Sequence, residues 1–498
     1  MKDPTKTIKY YDPIYEIITI KPYEKDWGRG RKFWLPAMDA KNEHLVENII
    51  ARVLKSLEMS RLNFLRQSGL AFLVFPSSTH TRFAHSLGTY HLGLEALNRS
   101  WIKAPEHGDK LISLEKWIEP LGLKEEFLLA LLLHDVGHFP FSHVLENNHS
   151  LPFKLESHEE IAVDYILGGK YSEAFQEYLG AEYGLRERKR LSCIIDELNS
   201  KLKDPIDKEV ISFLICKDHN YITKREYDLN KIKMLAEFTS GLLDLDRFDH
   251  YRRDSFFMGT NLARFNVSSF LDDVILTADG IELKGDGISH AISLLQSQDN
   301  IRTYNFENEE NLAYEAMLNY CVSEYFIELK NLNQSEFEWQ KKEIVFWTDE
   351  ELLRYLGTSK RPDVKHLLFK MKFQEPYSLL GKYSGTNVSI NSVERVLSLQ
   401  KKILKQLPKK VKPEQLLFRM PRKYGKDINP EGEWLSLSRL RDEKGESLSK
   451  SGGPMENEVN YIRRKLDAHQ NCLWVFCDGL NEDQKKRIDD IITGRKFN

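Results

Sequence analysis

Apolar positions in this chain recur mostly at three-and-four spacing, the signature of amphipathic helices. Val46, Ile49, Ile50, Val53 and Leu54 line one such face, and Phe83, Leu87, Tyr90, Leu94 and Leu97 line another between Arg82 and Trp101. Residues 125–137 are almost wholly apolar, which predicts a central buried helix. Further helices are expected at 158–167, 171–183, 186–203, 206–216, 230–243, 287–297 and 308–330. Strand signals are sparse. Short β-like runs lie between residues 7 and 35, and Val274–Leu283 reads as a hairpin with Asp279-Gly280 as its turn. The pattern changes near residue 400. Leu416–Met420, Trp434–Leu437 and Cys472–Cys477 are strand-like, and a last helix spans about 481–493. The expected fold is mainly α: a helical core over 1–330, a helical extension over 331–412, and a small α/β unit over 413–498. Residues 438–456, around Ser451-Gly452-Gly453-Pro454, are expected to form a mobile loop.

Composition narrows this only slightly. With 498 residues, the chain is too long for one ordinary core. Its net charge of -3 gives no global attraction to nucleic acid or anionic membrane. A polyanion site would have to be local, and Lys401, Lys402, Lys405, Lys409, Lys410 and Lys412 are the one candidate, against the plainer reading of a solvated face. No apolar run is long enough to span a bilayer, and Met1–Lys6 lacks a secretory stretch. Five scattered cysteines without CxxC spacing point to reduced thiols in a cytoplasmic protein with no membrane partner.

The chemistry is concentrated after the apolar helix. Leu131-Leu132-Leu133 runs directly into His134-Asp135, and His138 and His143 follow. Burying those groups is costly unless they are satisfied, and a divalent ion is the simplest partner. Adjacent residues diverge by about 100° on a helix, so a shared ion needs a helix end or ligands from elsewhere. His85, in Arg82-Phe83-Ala84-His85-Ser86-Leu87-Gly88, and Asp246, in Asp244-Leu245-Asp246-Arg247-Phe248-Asp249, are the candidates.

The order His85, His134-Asp135, Asp246 resembles the H…HD…D pattern of the HD phosphohydrolase superfamily. Leu65-Arg66-Gln67-Ser68-Gly69, Val74-Phe75-Pro76, His138-x-Pro140-Phe141-Ser142-His143 and Asp246-Arg247-Phe248-Asp249-x-x-x-Arg253-Asp254 are similar to its deoxynucleoside triphosphate triphosphohydrolase branch. The resemblance covers about residues 10–330 and implies a helical HD-domain core with minor β-hairpins. It implies one divalent ion (iron, manganese, magnesium, zinc or similar) held by His85, His134, Asp135 and Asp246. It gives catalytic roles to His138, His143, Glu146 and His158, and substrate contacts to Gln67, Arg82, Arg247, His250 and Asp254, with His250 in place of a family tyrosine. It further implies a homo-oligomer, dimer or tetramer, that converts a dNTP and water to deoxynucleoside and triphosphate.

The departures from the family are informative. Its triphosphate clamp, an Arg and then Tyr-x-His-Lys, falls on Gln298, Phe306, Asn308 and Glu309. Each lost charge-assisted contact costs about 1.5–3 kcal/mol. Two other readings therefore stay open. One is a phosphodiesterase or nuclease acting on single-stranded nucleic acid or a cyclic nucleotide, which would also use the lysine cluster. The other is a nucleotide-sensing protein with vestigial chemistry, against which the intact H…HD…D set argues.

Overall fold

A computed structural model of the chain describes residues 8–20, 49–419, 440–442, 447, 456–457, 460 and 472–493. Breaks in the long segment fall at 104–107, 109, 147, 149, 184–189, 201, 203, 223–227, 241–242, 278–279, 384–392 and 407–410. The axis of the structure is the helix Lys124–Leu133, in which Phe127–Leu133 are all buried. It can be apolar all round because the helices Arg82–Arg99, Lys208–Cys216 and Leu229–Ser240 pack against it. It stops at Leu133 rather than at residue 137. The turn that follows packs backbone to backbone on helix His158–Leu167: a Cβ on Gly137 would lie 2.1 Å from the His158 carbonyl oxygen.

Glycine also permits close helix contact beside the site. A Cβ on Gly88, in helix Arg82–Arg99, would lie 2.0 Å from Asp249 Oδ1 on helix Leu245–Phe257. That helix carries Asp246. Local caps fix where these elements begin. Thr81 accepts from the Ala84 N–H, Ser157 and Glu160 form a capping box, and Asp244 accepts from the Asp246 N–H. The helices Lys170–Tyr183, Gly287–Ile301 and Glu309–Leu332 also fall where the periodicity places them, and within 186–203 the described helix is Leu191–Asn199.

The strands are minor. β1 (Ile8–Asp12) and β2 (Glu16–Ile20) form an antiparallel hairpin. β3 (Trp101–Lys103), β4 (Leu111–Ser113), β5 (Val274–Thr277) and β6 (Gly280–Leu283) lie in one sheet, and β5–β6 is the expected hairpin. β7 (Ser378–Tyr383) and β8 (Leu416–Arg419) flank β10 (Leu473–Cys477), whereas β9 (Leu440–Arg441) joins the first sheet beside β6. β10 is buried on both faces, which explains its unbroken apolar run. Leu473, Val475 and Cys477 meet a small core with Ile488, Ile491 and Ile492 of helix Glu482–Thr493, while Trp474 and Phe476 join the main core.

The pairings run across the expected boundaries. The small C-terminal sheet does not begin at residue 413, because β7 comes from the preceding segment. Packing is also continuous across residue 330, since Phe337, Ile344, Val345, Phe346 and Trp347 belong to the main core. Within 438–456, Leu440–Arg441 is a strand rather than loop. Trp434–Leu437, Ser451–Pro454, Lys409 and Lys410 lie outside the described residues. All five cysteines are unpaired, and no helix among the described residues is long and apolar enough to cross a membrane.

A buried ion pair joins the C-terminal sheet to the main core. Arg419 of β8 donates Nε and Nη2 to Glu315 Oε2 at 2.9 and 2.7 Å. Removing one member of such a pair takes the opposite charge away from a buried one. Glu315→Ala is expected to cost about 3–5 kcal/mol, read as a lowered midpoint in urea unfolding.

Candidate metal centre and histidine cluster

Four side chains from three helical elements converge beyond the end of helix Lys124–Leu133. His85 lies in the first turn of Arg82–Arg99, and Asp246 in the first turn of Leu245–Phe257. His134 and Asp135 lie where the central helix ends. His85 Nδ1 is 2.6 Å from Asp249 Oδ2, and His134 Nδ1 is 2.9 Å from the Leu131 carbonyl oxygen. Both partners are acceptors, so both Nδ1 atoms carry hydrogen and both Nε2 atoms present lone pairs. Those two Nε2 atoms are 3.2 Å apart. Asp246 Oδ1 is 2.8 Å from His85 Nε2 and 3.5 Å from His134 Nε2. Asp135 reaches the same imidazoles with Oδ2 at 3.6 Å and Oδ1 at 3.4 Å. Lone pairs crowded in this way call for a proton or a metal ion between them. Spacings of 2.8–3.6 Å suit ligands around an ion with bonds of about 2.0–2.2 Å. The residues thus fit a divalent ion.

The electrostatics agree. Burial opposes charge on His85, yet Asp246 and Asp249 overcome it and raise its pKa to about 10. Burial likewise works against ionised Asp135 and Asp246, but Arg82 and His134 hold Asp135 well below the usual carboxylate range, and His134 and His85 do so for Asp246. The pocket calls for positive charge, which a proton or a metal ion can supply.

The positioning groups were not read from the sequence. Asp249 orients His85 and is itself gripped by Arg253, whose Nε and Nη2 lie 2.8 and 2.9 Å from its two oxygens. Arg253 Nη1 donates to Asp12 Oδ2 at 2.8 Å, so the β1–β2 hairpin reaches this chain of contacts. A carboxylate behind a ligating histidine fixes the tautomer and strengthens the ligand. The three-and-four spacing of Asp246, Asp249 and Arg253 on one helix face was the available signal.

Arg82, an expected substrate contact, meets Asp135 and Ser142 in the protein. Its guanidinium is buried, donating Nη1 to Asp135 Oδ2 and Nε to Ser142 Oγ at 2.8 Å. It orients the carboxylate.

A second cluster adjoins the first through Asp135, whose Oδ1 is 3.1 Å from His138 Nε2. Glu146 accepts from His143 Nδ1 through Oε2 and from His158 Nδ1 through Oε1, both at 2.9 Å. The His138 and His158 rings stack with centroids 3.8 Å apart. Their environments separate them. Burial, reinforced by Arg82 and His158, holds His138 well below its ordinary pKa. Burial also lowers His143, with Glu146 only partly opposing it. Burial opposes charge on His158 as well, but Glu146 and Glu159 win and raise it to about 10. Two neutral imidazoles therefore face one charged one. Glu159, 3.4 Å from His158 Nε2, is a further group the sequence reading passed over.

The other expected substrate residues form a third group. Buried Asp254 accepts from Ser68 Oγ at 3.0 Å, His80 Nε2 at 2.7 Å and His250 Nε2 at 3.0 Å. His80 is thus a core partner of Asp254, in keeping with a packing role. Gln67 Oε1 is buried with no partner among the described residues, which leaves it an acceptor to fill. Arg247 is half exposed and pairs with Asp244 Oδ2 through Nε at 3.2 Å.

Residues 82–212 match the HD domain family. The chain is 25% identical over 321 residues to the deoxynucleoside triphosphate triphosphohydrolase SAMHD1 homologue of Dictyostelium discoideum, covering 64% of this chain and 54% of that one. It is 26% identical over 251 residues to the uncharacterised protein YwfO of Bacillus subtilis, covering 50% and 45%. The chain thus spans about half the length of the curated relatives it matches. In fold it is similar to a solved phosphohydrolase of Bacteroides thetaiotaomicron, with a TM-score of 0.55, 17% identity, and coverage of 95% of this chain and 100% of that one.

Two metal measurements follow from the geometry. His134→Ala with Asp135→Ala is expected to abolish stoichiometric binding of manganese or iron in elemental analysis. Asp249→Asn keeps all four proposed ligands and is expected to weaken metal affinity by about 10–100-fold. With His85, His134, Asp135 and Asp246 clustered and the match over residues 82–212, the chain carries an HD domain and is similar to HD-domain phosphohydrolases.

Proposed function

We propose that this protein is a metal-dependent hydrolase of nucleotide phosphoesters, with dNTP conversion to deoxynucleoside and triphosphate as its leading reaction. The observation that carries the reading is the sharing of Asp135 between a cation site and a histidine set of split protonation. An ion held by His85, His134, Asp135 and Asp246 would supply Lewis-acid stabilisation of charge on a phosphoryl group.

The remaining work falls to side chains. His143 keeps its Nδ1 proton on Glu146 and presents Nε2 to take a proton from the attacking water. His158 is similarly anchored through Nδ1 and gives its Nε2 proton to the leaving oxygen. Glu146 holds both rings and favours charge on His158. Neutral His138 stacked beneath it and bonded to Asp135 links proton transfer to the cation site. Gln67 Oε1 and the Asp254 group are the proposed sugar contacts, and the nucleotide is the proposed partner. A homo-oligomer is part of the same proposal.

One observation favours a diester substrate as the second reading. Asn308, at a position where the resemblance expects a triphosphate contact, spends its side-chain oxygen capping helix Glu309–Leu332, bonding Glu310 N and Asn311 N at 3.1 Å. Exposed Glu309 and Glu310 follow it and would repel phosphate. Lys401, Lys402 and Lys405 are exposed on helix Val393–Gln406 and would suit a single-stranded nucleic acid.

Products decide between these readings. Metal-loaded protein is expected to release inorganic triphosphate from a dNTP panel. Shortened labelled oligonucleotide alongside inert dNTPs would instead establish the diesterase. His158→Ala is expected to lower kcat by about 10²–10⁴-fold. Since the acid must be protonated, wild-type kcat should persist through neutral pH and fall as pH rises through about 10.

A further inference from the structure

The turn that bears the catalytic histidines is strained, and it is held from outside the HD domain. Phe141 and Ser142 have φ of 53° and 62°, the left-handed region that side chains other than glycine rarely adopt. They lie between His138 and His143, so their conformation sets where both imidazoles point. Asp349, buried at the start of helix Asp349–Gly357, accepts from the Phe141 N–H through Oδ1 at 2.7 Å. Its Oδ2 accepts from the Arg66 N–H at 2.9 Å, which ties in the segment leading to Gln67. That helix is already capped by Thr348 and Glu351, so Asp349 is left to serve the turn.

The other end of the turn is tied to the same segment. Arg61 donates Nη2 to the His138 carbonyl oxygen at 2.6 Å and to the Trp347 carbonyl oxygen at 3.0 Å. Its Nε donates to the Phe346 carbonyl oxygen at 2.8 Å. Phe346–Asp349 is a rigid support. Fully buried Trp347 stacks on Tyr355 at 4.1 Å, and Phe346 stacks on Phe175 at 4.9 Å.

We propose that Asp349 is a positioning residue for catalysis: it holds the left-handed Phe141–Ser142 turn and thereby aims His138 and His143 at the substrate. The proposal rests on the phosphohydrolase reading. It makes residues 346–349, beyond the HD-domain match, part of the catalytic unit.

The test is Asp349→Asn in the full chain, beside Glu350→Gln as a control on the exposed neighbour that pairs with Arg66. The Asn variant is expected to keep its bound metal and a KM close to that of the wild type, while kcat falls by about 10–100-fold, the scale set by a misplacement of about 1 Å. Hydrogen exchange in the peptide spanning 138–143 should quicken, and the control should change neither. If Asp349→Asn does not fold, Arg61→Lys loosens the His138 end and is expected to shift kcat and exchange in the same direction. An unchanged kcat in a variant with faster exchange would overturn the proposal, as would loss of metal in step with kcat. Selective 13C-histidine labelling separates this from the function itself. If the wild type hydrolyses nothing, the phosphohydrolase reading fails, but the His138 and His143 resonances must still move in the Asn variant. Their remaining in place would defeat the positioning claim.

Discussion

Two imidazole lone pairs held 3.2 Å apart are the constraint on which the rest of this structure turns. As neutral rings, neither His85 nor His134 can donate to the other, because each has committed its Nδ1 hydrogen elsewhere. Two ionised carboxylates point into the same space. Without a cation the arrangement would repel itself, and with one each contact becomes favourable. The surrounding molecule can be understood as the set of devices that keep those four groups in place.

Those devices lie far apart in the chain. Gly88 lets helix Arg82–Arg99 approach Asp249, Asp249 turns His85, and Arg253 with Asp12 holds Asp249. Gly137 lets the chain leave the central helix just after His134 and Asp135. Arg82 holds Asp135 on one side and Ser142 on the other, so the cation site and the histidine cluster share one mechanical frame. Asp349 and Arg61 close that frame from the helical segment beyond residue 330. The C-terminal sheet is joined to it through helix Glu309–Leu332, by the Arg419–Glu315 pair.

The helical class and the brought-together set of His85, His134, Asp135 and Asp246 were legible because they rest on local signals: periodicity, an apolar run ending in ionisable groups, and a recognisable order of residues. What could not be read depends on which of several possible partners a side chain meets. Arg82 carries the charge expected of a phosphate contact, and its guanidinium also meets Asp135 and Ser142, which sequence alone does not reveal. His80 is a buried partner of Asp254, a pairing across more than 170 residues that no local signal marks. The role of Asp349 is invisible in sequence because its partners, Phe141 and Arg66, are more than two hundred residues away. The break expected at residue 413 follows a real change in composition, yet β7, from before it, pairs with β10 and satisfies the backbone groups of that strand's second edge.

The central claim is that a single ion sits on His85 and His134, beside and not within the His138–His143–His158 cluster. Pulsed electron paramagnetic resonance of the Mn(II)-loaded protein tests this directly, by counting the imidazole nitrogens coupled to the metal. Coupling to His85 and His134 is expected, with one nitrogen lost in His85→Gln and none lost in His143→Gln. Coupling that survives His85→Gln unchanged and weakens in His143→Gln would place the ion in the other cluster and contradict the account.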